Sequence, residues 1–160
     1  MADLPAPNLD PDAWHQSLVM SPLLQAARNT YIAAVRRALG DAGLEDLPRR
    51  GPFVLGAVAN QGSTLADAVA GLHVTKQAAS QLVDTLVMRG YLERTPDPDD
   101  RRRITVTLTD RGRAAAVETR DAIAGVDAAL VERVGPEAVA TMRAALGALV
   151  ELGDESHVDE

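Results

Sequence analysis

One stretch of the chain changes its apolar period, and this constrains the fold more than any other feature. Ala79, Leu82, Val83 and Leu86 recur at i, i+3, i+4 and i+7, the spacing of one face of a helix. Thr75 is placed to cap that helix and Gly90 to end it, predicting a helix over 76–89. Shortly afterwards Ile104, Val106 and Leu108 alternate with Thr105, Thr107 and Thr109, the period of a half-buried strand. A short strand at Tyr91–Arg94 supplies its partner. The connection, Thr95 to Arg103, holds two prolines, three aspartates and three arginines. A short polar-faced helix followed by a hairpin with a long charged tip is neither a plain helical bundle nor a β-sandwich.

Helical spacing dominates elsewhere. Ser21-Pro22 starts a helix carrying Leu23, Leu24, Ala27, Tyr31, Ala34, Val35 and Ala38, and Gly40 to Pro48 breaks it. Pro52 opens a short helix with Phe53, Val54 and Ala57 expected inward. Gln61-Gly62-Ser63 reads as a turn, and Thr64 caps a further helix to about Leu72. Thr109 starts a long helix that Gly135-Pro136 ends, and a last helix runs from Glu137 to Leu152. The fold class is therefore mainly α with a small β-hairpin. Aromatics are only 2% of the chain, so the core must be built from Ala, Leu and Val.

Composition excludes several functions. There are no cysteines, hence no disulfides or thiolate metal sites. His15, His73 and His157 lack a second ligand at helical spacing, so no metal or other cofactor is expected. No serine has a nucleophile-elbow context and no phosphate-binding glycine loop occurs, so no catalytic residue is assigned. No apolar run is long enough to span a bilayer, and residues 1–12 lack the features of a signal peptide, which gives a cytoplasmic expectation.

The net charge of −7 is unevenly distributed. Thr75 to Arg113 holds eight basic and six acidic residues, a local +2 that leaves −9 for the rest. A helix buried on one side and short and polar on the other suits a major groove about 12 Å wide. Thr75, Lys76, Gln77, Ala78, Ser80 and Gln81 form such a face. Gln can bond adenine in bidentate fashion, Ala can meet a thymine methyl, and Lys can reach phosphate or guanine. With the preceding helix and the ribbon, this describes a winged helix-turn-helix that binds double-stranded DNA. In the wing, Arg101, Arg102 and Arg103 alternate in direction, so Arg102 can enter a minor groove while its neighbours lie along phosphates. Asp100 falls on the same side as Arg102 and can orient it.

The run Val74 to Asp84, continued by Arg89-Gly90-Tyr91-Leu92-Glu93-Arg94, Asp97-Pro98-Asp99-Asp100-Arg101-Arg102 and Val106 to Gly112, resembles the MarR family of bacterial transcription regulators. His73 stands where the family pattern has glycine, and Ala68 where it has leucine. The resemblance implies a homodimer with the winged helix-turn-helix inserted between dimerisation helices. It divides the chain into an arm (1–20), a first dimerisation helix and linker (21–48), the DNA-binding lobe (49–112), C-terminal dimerisation helices (113–153) and an acidic tail (154–160). It also implies that Arg102 enters the minor groove at a pseudo-palindromic operator, and that a small aromatic or phenolic effector binds between the lobes. Trp14, Met20, Tyr31 and Met88 are the candidates to line that effector pocket. The expected function is a sequence-specific regulator, a repressor released by such an effector. The alternative is a winged-helix module that docks a protein instead of DNA.

Overall fold

The computed structural model describes residues 19–59, 75–96 and 104–155. The helix expected at 64–72, His73, Ala68, residues 1–18 of the arm, residues 97–103 of the wing and residues 156–160 of the acidic tail lie outside the described residues, whereas Met20 already belongs to the first helix and residues 154 and 155 to the last. Among the described residues there are five helices and one hairpin: α1 (Met20–Asp41), α2 (Gly51–Ala59), α3 (Lys76–Met88), β1 (Leu92–Pro96), β2 (Ile104–Leu108), α4 (Asp110–Val134) and α5 (Pro136–Glu155).

Two helices end by the same device. At the end of α1, Gly43 has φ +69, the Leu44 amide donates to the Leu39 carbonyl at 2.7 Å and the Gly43 amide to Gly40 at 3.0 Å. At the end of α3, Gly90 has φ +70, the Tyr91 amide donates to Leu86 at 2.9 Å and the Gly90 amide to Val87 at 3.0 Å. Both are Schellman motifs, in which a left-handed glycine lets the next residue fold back and bury itself beside the last helical turn. Leu39 and Leu44 are buried together, as are Leu86 and Tyr91, and all four belong to one core.

That core also takes Val54 and Leu55 from α2, Val83 from α3, Leu92 from β1 and Ala115 from α4. It lies where the end of α1, α2, α3, the hairpin and the start of α4 converge. The outer halves of the long helices are different. Val131, Val134, Met142, Leu149, Val150 and Leu152 are exposed.

Two details depart from the sequence reading. Phe53 was expected inward, yet it is 51% exposed, while Leu55 beside Val54 is fully buried. Every residue of α2 is apolar or glycine, so no polar face marks its outer side. Tyr91 was expected to open the first strand, but the strand begins at Leu92 and continues to Pro96, paired Leu92↔Leu108, Arg94↔Val106 and Pro96↔Ile104. The Tyr91 amide is already committed to closing α3, so it cannot join the ladder.

Candidate nucleic-acid interface

Helix α3 starts at Thr75, whose hydroxyl accepts from the Ala78 amide at 3.2 Å. This satisfies one of the free N–H groups of the first turn. Ala79, Val83 and Leu86 are buried, which fixes the helix against the core. Thr75, Gln77, Ala78, Ser80 and Gln81 are all exposed. Lys76 is the first residue of the helix, and its side chain lies outside the described residues. The polar face is therefore presented by a helix held rigidly from behind.

Asp84 would oppose a phosphate if left free. Instead it forms an ion pair with Arg94 of β1. Helix α3 and the hairpin are thereby joined outside the core as well as through it. Asp100, Arg101, Arg102 and Arg103 lie outside the described residues.

A second set of polar contacts welds the base of the site. The Tyr91 ring is buried, and its hydroxyl donates to Asp46 Oδ1 at 2.5 Å. Arg111 Nη2 pairs with the same carboxylate at 2.8 Å, and its guanidinium carbon lies 4.4 Å from the Tyr91 ring centroid. Arg111 Nη1 donates to the Arg89 carbonyl at 2.7 Å, and Arg89 in turn donates to the Asp46 backbone carbonyl. The Tyr91 bond, followed by the Arg111 charge, holds the Asp46 carboxyl below its ordinary range. Burial first, then Asp46, pushes the Tyr91 phenol up to about 12. The linker before α2, the end of α3, the start of β1 and the first turn of α4 thus meet at one point.

The strand-to-helix junction completes this base. The Thr109 amide donates to the Tyr91 carbonyl at 3.2 Å, and its hydroxyl caps α4 by accepting from the Gly112 amide at 3.0 Å. A Cβ at Gly112 would sit 2.0 Å from the Tyr91 carbonyl oxygen. Only glycine lets α4 approach the hairpin this closely.

Sequence reasoning singled out none of Asp46, Arg89 and Arg111 as functional. Asp46 and Arg111 are 65 residues apart, so no spacing rule connects them.

The proposed effector residues separate. Tyr31 lines an open cavity of about 910 Å³ between α1, α2 and α4. Its hydroxyl donates to Asp127 Oδ1 at 2.6 Å, and Arg143 of α5 pairs with the other oxygen at 2.9 Å. The Asp127 bond, aided by burial, raises the Tyr31 pKa. Met20 and Met88 are 63% and 81% exposed, and neither is among the residues lining the cavity. Trp14 lies outside the described residues.

Residues 46–103 match the model of the MarR family. Over these residues the chain is similar to the MarR family. The match spans α2, α3 and β1 and stops at the foot of β2. Solved structures of MarR-type regulators share the fold over most of the chain. Streptococcus pneumoniae FabT in complex with DNA aligns with a TM-score of 0.71 at 18% identity, covering 85% of this chain and 96% of that one. A MepR–DNA complex from S. aureus gives 0.67 at 22% identity, covering 84% and 98%. Bordetella bronchiseptica BpsR, whose DNA binding is regulated by 6-hydroxynicotinic acid, gives 0.60 at 26% identity, covering 86% and 95%. No curated protein sequence matches the chain. Among the described residues, no helix is long and apolar enough to cross a membrane.

Proposed function

We propose that this protein is a homodimeric, sequence-specific DNA-binding transcription regulator whose operator affinity is set by a small molecule bound between its lobes. The observation that carries the reading is α3: a capped helix, buried on one side, whose exposed side holds Gln77, Ala78, Ser80 and Gln81. The MarR-family match over the same residues supports it, as do the FabT and MepR folds seen with DNA. Homodimerisation is supported by the exposed aliphatic residues of α4 and α5, which a lone chain would leave in water. The acidic remainder of the chain suppresses non-specific association and leaves specificity to groove contacts.

A mobility-shift and footprinting experiment on the intergenic DNA upstream of the protein's own gene tests this. The expected result is a pseudo-palindromic footprint with half-sites about one helical turn apart. An asymmetric single site would contradict the dimer. Absence of any shift at low salt, with any duplex, would contradict DNA binding and favour a protein-docking module.

The wing gives a separate expectation. Arg102→Ala is expected to weaken binding far more than Arg101→Ala or Arg103→Ala, because a narrow minor groove concentrates negative potential on one inserted arginine. Asp100→Ala should also weaken binding, although it removes a negative charge, since it frees the Arg102 guanidinium. Titrations of the four variants at one salt concentration check this. Equal losses for the three arginines, with tighter binding by Asp100→Ala, would mean a solvated loop.

A further inference from the structure

The proposed DNA-binding lobe joins the proposed dimerisation helices through two stretches of chain. Residues 42–50 lead from α1 into α2, and Thr109 leads from β2 into α4. Both stretches are fastened to one place, the end of α3. From the first, Asp46 Oδ1 accepts from the Tyr91 hydroxyl at 2.5 Å and from Arg111 Nη2 at 2.8 Å, and the Asp46 backbone carbonyl accepts from Arg89. From the second, the Thr109 hydroxyl donates to the Gly90 carbonyl at 2.6 Å, and Arg111 Nη1 donates to the Arg89 carbonyl at 2.7 Å. Arg111 therefore forks between the stretch that enters the lobe and the end of α3. A planar guanidinium holds two acceptors in a fixed relation, which an ammonium cannot do. The pair does not fill the core: the Asp46 and Arg111 side chains are 44% and 38% exposed, and such ion pairs add little to stability. What the pair restrains is angle. With both connections pinned to its end, α3 cannot tilt against α1 or α4 without breaking one of these bonds.

We infer that Asp46 and Arg111 are positioning residues that fix the orientation of α3 against the dimerisation helices, and so restrict the protein to one half-site spacing. In a homodimer any change in this angle is repeated in both protomers. One added base pair shifts a half-site by about 3.4 Å and turns it by about 35°. Two rigidly held α3 helices cannot follow that displacement, whereas helices on loosened connections can. This deepens the homodimeric DNA-binding function proposed above, on which it rests.

The test compares affinities of the full-length protein, at one salt concentration, for three duplexes: the upstream operator, the operator with one base pair inserted between half-sites, and a single half-site. Linked binding at two half-sites is worth about 10²–10⁴ in affinity and is lost when geometry forbids it. Wild type is therefore expected to lose about 100-fold on the inserted duplex, and Asp46→Ala and Arg111→Lys only about 10-fold, with single half-site binding unchanged. Arg111→Lys keeps the positive charge, so a plain phosphate contact would survive it. Arg113→Lys is the control, since the bonds of Arg113 among the described residues go to the Leu108 carbonyl and Asp110, and it should keep the wild-type spacing preference. A wild-type insertion penalty in both variants, equal losses on the half-site and the operator, or a relaxed spacing in Arg113→Lys would each overturn the inference. A second measurement needs no DNA. The chain has no cysteine, so a spin label on Ser80→Cys reports one distance across the dimer. Its distribution is expected to be narrow in the wild-type background and broader with Asp46→Ala. Equal widths with operator binding intact would overturn the positioning role alone. Broadening without any operator binding would overturn the DNA-binding function and leave the positioning role standing. No distance between labels would overturn the dimer and the spacing inference together.

Discussion

Gly112→Ala is expected to remove roughly 3 kcal/mol or more of stability, lowering Tm by about 6–12 °C or abolishing a cooperative transition. The added methyl carbon would lie 2.0 Å from the Tyr91 carbonyl oxygen and 3.2 Å from a methyl of Leu108. The first obstacle is backbone, so no rotamer change relieves it. The carbonyl cannot retreat easily either, because it accepts from the Thr109 amide and Thr109 caps α4 at Gly112 itself. Relief requires α4 to lift from the hairpin, which uncovers Tyr91 and Ala115. Thermal unfolding followed by circular dichroism checks this. A Tm within a degree or two of wild type would show that α4 does not pack as described.

Tyr91→Ala is expected to cost about 3–5 kcal/mol, the range for emptying a buried aromatic site. Its ring is fully buried, and it also supports the Arg111 guanidinium at 4.4 Å. Tyr91→Phe keeps the ring and loses the hydroxyl's bond to Asp46 and its longer contact at 3.4 Å with the Leu44 carbonyl, so it should cost about 1.5–3 kcal/mol, the range for a hydrogen bond to a charged group. The two variants also differ in pH dependence. Because the folded phenol titrates near 12 against an ordinary 10.0, its contribution is complete below pH 10 and is lost as pH rises from 10 through 12. Tyr91→Phe should remove that alkaline loss. Few other groups interfere, since the chain has two tyrosines and arginine stays protonated. Asp46 has the opposite sign. Its depressed carboxyl contributes above its ordinary 3.8, and the contribution disappears as pH falls through the lower folded value. Tm measured from pH 8 to pH 12 for wild type and Tyr91→Phe gives the result directly; parallel curves would contradict it.

The parts of this fold that were legible in the sequence are those encoded locally. Helix α3 follows from the spacing of Ala79, Val83 and Leu86, a capping threonine and a terminal glycine, all within a few turns. The alternation of Val106 and Leu108 with threonines marks β2 in the same way. Helix α2 was legible as a helix but not in its orientation, because an apolar nonapeptide has no polar side to point outward. Tyr91 looked like a strand residue on propensity, and the Schellman bond that claims its amide depends on how α3 ends. Gly112 stood out as part of a motif, whereas its physical reason, a carbonyl two ångströms from its missing methyl, appears only once α4 is docked. The Asp46–Tyr91–Arg111 cluster and the cavity between α1, α2 and α4 join segments far apart in the chain, and periodicity carries no information about them.

The most direct test of the central claim is a titration of wild type, Gln77→Ala and Gln81→Ala on the upstream duplex and on a scrambled duplex at one salt concentration. If α3 reads bases from its exposed face, each substitution should cost about 1–3 kcal/mol on the upstream duplex and little on the scrambled one. Equal losses on both duplexes, or no loss on either, would contradict base reading by α3.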